Sequence, residues 1–152
     1  MTRAALVIAA CLMVSTGAAR ADACAQFEKG TLALLKTFDA AGQAAAAIGN
    51  RCMFRGTDAK AVKQLEASTR RALGRLDTLA DPPPACLRSG DFAEAMHAHG
   101  QAFGLRVGLA WTLCSPTMPA VIADLRAQHV PDDEIKARVS ELSQAWIQSL
   151  TK

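Results

Sequence analysis

Residues 89–114 read SGDFAEAMHAHGQAFGLRVGLAWTLC. Within them Phe92, Met96, His99, Phe103, Val107, Ala110 and Cys114 follow one another at steps of three or four, the period of one face of an α-helix. Ser89 stands where an N-cap is wanted, and Ser115-Pro116-Thr117-Met118-Pro119 breaks the chain beyond Cys114. This stretch predicts a long helix with one buried stripe, and the segments on either side read the same way.

Upstream, Ala23 to about Gly49 is rich in Ala, Leu and Gln and has no Pro. Its stripe is Phe27, Leu34 with Leu35, Phe38, Ala41, Ala45 and Ile48, interrupted by Thr31, and Gly49-Asn50 is the expected stop. A second helix is expected from an N-cap at Thr57 or Asp58 to about Ala80, burying Val62, Leu65, Leu73, Leu76 and Leu79 before Asp81-Pro82-Pro83-Pro84 ends it. Downstream, Ala120 to His129 is stopped by Val130-Pro131, and Asp132 to about Leu150 carries Ile135, Val139, Leu142, Trp146 and Leu150. These last two segments read as one arm kinked near Pro131. The expected fold is an all-α, up-and-down helical bundle of four layers.

Cys24, Cys52, Cys86 and Cys114 sit at the ends of these helices. If Cys24 and Cys52 bracket the first helix, its rise of about 1.5 Å per residue holds them roughly 40 Å apart, whereas a disulfide needs Cα atoms within about 7 Å. The third helix separates Cys86 from Cys114 in the same way. An up-and-down path brings Cys24 to Cys86 at one end and Cys52 to Cys114 at the other; pairing Cys24 with Cys114 and Cys52 with Cys86 would join opposite ends. Close Cys-x-x-Cys spacings of a metal site are absent, as is Cys-x-x-Cys-His for haem attachment.

An even set of widely spaced cysteines suits an oxidising compartment, and the chain's first residues say the same. Arg3, the apolar run Ala4 to Val14 and the small-residue segment Ser15 to Ala21 make the three parts of a cleaved signal peptide. Cleavage is expected after Ala21, with Ala19 and Ala23 as alternative sites. A rival reading takes Ile8-Ala9-Ala10-Cys11 for the motif before a lipidated cysteine. Residues 1–21 then form the leader and residues 22–152 a single helical domain, periplasmic or secreted. The leader removes Arg3 and Arg20 and no acid, so 17 basic against 14 acidic residues become 15 against 14. A net charge of +1 does not call for nucleic acid. No membrane span is expected after cleavage, because the most apolar remaining segment, Ala102 to Cys114, is short and contains Arg106.

Candidate chemistry is sparse. Met96 and His99 share the core stripe and are the weak candidates for a metal or haem ligand pair, while His97 faces elsewhere; Met53, Met118 and His129 could join only through the tertiary fold. Asp132-Asp133-Glu134 suits a helix start better than a cation site. Arg51, Arg55, Lys60, Lys63, Arg70, Arg71 and Arg75 against Asp58 and Glu66 make a locally basic stretch, a solvated face or a docking face for an acidic partner or anionic surface.

Gly100, Gly104 and Gly108 lie on one drifting stripe of the third helix, although each glycine costs a helix about 1 kcal/mol relative to Ala. The expectation is close packing against Ala40, Ala41, Ala44, Ala45 and Ala47 of the first helix, so that Gly104→Leu would force helices apart; the other reading is an interface or apolar groove. No Ser-His-acid motif, nucleophile elbow or phosphate loop is present, and both disulfides would consume the mature thiols. The sequence thus reads as a non-enzymatic exported binding or interaction protein, of the inhibitor, immunity or accessory kind, with a protein partner and no cofactor. The alternative is a metal- or haem-binding bundle.

Overall fold

The computed structural model describes residues 3–78, Cys86 and residues 90–151, with side chains from Asp22 onward except at 77 and 91–93. The described residues form helices α1 (Arg3–Arg55), α2 (Ala59–Leu73), α3 (Gly90–Cys114), α4 (Met118–Ala127) and α5 (Asp132–Ser149), plus one 3-10 turn at Leu76–Thr78. No strand occurs among them. The leader side chains, Leu79, the Asp81–Pro84 stop, the Ser89 cap and the Phe92 side chain lie outside the described residues.

The α1, α2 and α3 stripes supply most of the core, whereas Leu142 of the expected α5 stripe is exposed. Leu34, Phe38, Ala45 and Ile48 of α1, Leu65 and Ala72 of α2, and Phe103, Val107 and Ala110 of α3 form one buried cluster, with Phe38 and Phe103 stacked 5.0 Å apart. Thr31 is buried too, but its hydroxyl donates to the Phe27 carbonyl at 2.9 Å, which satisfies it within its own helix. Disulfides join Cys24 to Cys86 and Cys52 to Cys114, with Cα atoms 5.6 Å and 5.1 Å apart. Both α1 and α3 therefore run from the first staple to the second, and α2 returns between them.

Two boundaries differ from expectation, each for a local reason. α1 does not stop at Gly49-Asn50 but continues to Arg55 and ends at Gly56, whose φ of +88° favours glycine. Gly49 serves another purpose: a Cβ there would stand 3.1 Å from the Ala110 Cα, so the missing side chain lets α1 and α3 approach. α2 is capped at Asp58, whose carboxylate accepts from the Lys60 backbone N–H at 2.8 Å, but it ends at Leu73 before Gly74 and not near Ala80. Leu76 is consequently exposed.

The kink of the last arm is sharp. His129 takes a left-handed φ of 58°; its N–H reaches the Arg126 carbonyl at 3.0 Å and the Val130 N–H reaches Leu125 at 3.1 Å. That pair of bonds is a Schellman cap, and Pro131 then forbids continuation of the same helix. Val121 and Leu125 of α4 consequently lie across a shallow groove from Leu142 and Ala145 of α5.

Candidate functional site

α3 is apolar on two sides. Phe103, Val107, Ala110 and Cys114 are buried toward α1 and α2, whereas Leu105 and Leu109, one helical turn apart, are 75% and 58% exposed. Between these faces runs the glycine row: Gly104 and Gly108 each follow a core residue by one position, about 100° round the helix. The row does not meet the alanine surface of α1, where Ala40, Ala44 and Ala47 are exposed. It faces α5 instead. A Cβ on Gly108 would lie 3.0 Å from the Ser143 Oγ, while Cβ atoms on Gly100 and Gly104 would meet nothing within 4 Å. The expected clash for Gly104→Leu is therefore not built into the fold.

Gly104 and Gly108 line a groove of about 870 Å³ between α3 and α5. Leu105 and Leu109 form one wall, Val139 and Ile147 the other. Its polar groups are amides such as Gln101 and Gln144 and the hydroxyls of Thr112, Ser140 and Ser143, and among the described residues Lys136 is its one charged lining residue. Thr112 and Ser143 spend their hydroxyl protons on the backbone carbonyls of Gly108 and Ser140. The volume lies within the range of about 300–1,000 Å³ common for ligand pockets, and an apolar lining with a few polar groups is their usual character. Comparison of this chain with known families, curated proteins and solved structures finds no match.

The ligand candidates from the sequence are placed differently. Met96 packs against the core and His99 is half-buried beside it, but the His99 Nδ1 lies 3.0 Å from Asp39 Oδ1, tying α3 to α1. His97 points to solvent and shares a 2.8 Å hydrogen bond with Gln101. Met118 is buried, whereas Met53 and His129 are exposed. No group of three or more His, Cys, Asp or Glu side chains among the described residues could hold a metal ion. Asp132, Asp133 and Glu134 occupy the exposed first turn of α5, and Glu134 pairs with Arg138 at 2.9 Å.

Sequence reasoning missed Leu105, Leu109, Lys136 and Ser143 as site residues. The available signal was α3 itself: Ala98, Ala102, Leu105 and Leu109 repeat at three or four residues on the side away from its core stripe, a second apolar face that one partner helix cannot cover.

Proposed function

We propose that the chain is an exported, non-enzymatic binding protein, periplasmic or secreted and of the inhibitor, immunity or accessory kind, that receives an apolar segment of a partner protein in the α3/α5 groove. The carrying observation is the groove with its two exposed leucines, an apolar surface that a small domain gains nothing by leaving in water. Apolar anchors repeating along a helical wall, with amides and hydroxyls at the edge, match the helix-in-groove mode of recognition. Export is supported by the two disulfides, which persist in oxidising compartments, and by the leader pattern of residues 1–21. Among the described residues no helix is long and apolar enough to cross a membrane.

Two measurements test this reading. Intact mass of the protein recovered outside the cytoplasm should correspond to an unlipidated chain starting at or within two residues of Asp22; a lipidated chain starting at Cys11, or one retaining the leader, overturns the assigned cleavage, and absence of the protein from that fraction overturns the export assignment. Immobilised mature protein should retain a partner from the extracytoplasmic fraction that Leu105→Lys and Leu109→Lys variants, folded by circular dichroism, do not retain. Equal retention by the variants refutes the groove as the binding site.

A further inference from the structure

We infer that the apex where α1 ends is a docking tip for an anionic lipid surface, a role separate from the α3/α5 groove. Phe54 is 83% exposed and Met53 57% exposed, the former being the most exposed large apolar side chain among the described residues. Arg51, Arg55, Lys60 and Lys63, all exposed, surround them in sequence, and none of the four takes part in an ion pair among the described residues. The acid between them, Asp58, is engaged in capping α2. Four exposed cations against the single exposed carboxylate of Asp58, held near an apolar wedge, are complementary to an anionic interface and not to another basic or neutral surface.

The tip is also braced. Cys52, two residues before Phe54, is buried and bonded to Cys114, Gly56 N–H closes on the Cys52 carbonyl at 2.8 Å, and Asp58 N–H bonds the Cys114 carbonyl at 2.9 Å. The frame that buries Cys52 therefore holds Phe54 in solvent, on a helix face that none of the described elements covers. The small apolar area favours a membrane over a protein partner. A specific protein interface takes about 800 Å² from each side, far more than one Phe and one Met provide. Interfacial attachment needs only a few apolar side chains entering the headgroup region, with each Lys or Arg near an anionic bilayer strengthening binding about fivefold.

Flotation of the purified mature protein with vesicles tests this directly. The protein should float with vesicles of equal parts phosphatidylglycerol and phosphatidylcholine, stay behind with phosphatidylcholine alone, and be released near 1 M salt, where screening acts over about 3 Å. Phe54→Ser and the double variant Arg51→Glu/Arg55→Glu should each weaken flotation by at least about tenfold at unchanged melting temperature, while Leu105→Lys should float like the parent. Failure of the parent to float, equal flotation on phosphatidylcholine, undiminished flotation of Phe54→Ser, or loss caused by Leu105→Lys would each overturn the assignment. Binding to soluble polyglutamate without vesicle binding would replace the membrane by an acidic peptide.

Discussion

The same substitution, glycine to alanine, should have opposite effects at two positions of this bundle. At Gly104 a Cβ meets nothing within 4 Å, so alanine adds helix propensity without a steric cost. That is worth about 1 kcal/mol, or roughly a 3 °C rise in melting temperature for a domain of this size. At Gly49 the propensity gain is equal, but the new methyl would stand 3.1 Å from the Cα and 3.2 Å from the Cβ of Ala110. Neither neighbouring atom belongs to a flexible side chain, so α1 and α3 must separate by a few tenths of an ångström along their largest interface. Overpacking of this kind typically costs about 1–3 kcal/mol, which leaves Gly49→Ala neutral to about 2 kcal/mol less stable. Gly104→Leu, whose side chain enters the groove, should leave stability within about 1 kcal/mol of the parent. Thermal and denaturant unfolding followed by far-ultraviolet circular dichroism measure all three variants. A lower melting temperature for Gly104→Ala, or a higher one for Gly49→Ala, would show that the α1/α3 and α3/α5 contacts have been assigned the wrong way round.

Other consequences concern the staples, one buried hydroxyl and one turn. Each disulfide spans 62 residues, worth about 4 kcal/mol in the chain-entropy model, so reduction should markedly lower the melting temperature. Because Cys24 and Cys86 are half-buried while Cys52 and Cys114 are buried, limiting reductant should open Cys24–Cys86 first; peptide mapping with the buried bridge opened first would contradict the packing. The Thr69 hydroxyl is buried without a hydrogen-bond partner among the described residues, so Thr69→Val should match or exceed the parent by up to about 1 kcal/mol in urea unfolding, and a clear loss would reveal a partner for that hydroxyl. His129→Gly should raise stability by about 0.5–1 kcal/mol, since glycine takes the left-handed cap at no steric cost; an unchanged or lower unfolding midpoint would mean that the imidazole contributes more than its backbone costs.

The parts of the fold legible in the sequence were those set by one helix at a time. The steps of three and four from Phe27 to Ile48 and from Met96 to Cys114 required only the helical period, and the pairing of Cys24 with Cys86 and Cys52 with Cys114 followed from helix length. What stayed illegible depended on a second helix. Gly49 is equally good as a C-cap or as a point of close approach, and only Ala110 across the interface decides. His129 gives no sign in sequence of a left-handed cap, which glycine or asparagine more often supplies.

The candidate site was hidden for the same reason, and α3 shows why. A helix of this kind has two apolar faces, and the glycine row between them could pack on α1 or on α5. Because α1 and α3 run parallel between two staples, their contact is fixed by the largest side chains, Phe38 against Phe103, which turns the glycine row away from α1. α5 then meets that row only at Gly108, where Ser143 is small enough to sit against bare backbone. The helices enclose the groove that Gly104 lines, and Leu105 and Leu109 stay 75% and 58% exposed. A bundle of this length can bury one face of its central helix and part of another. The groove is what the second face becomes when its closing helix meets the glycine row at Gly108 and leaves Gly104 uncovered, and its leucines are therefore the residues whose replacement should separate binding from stability.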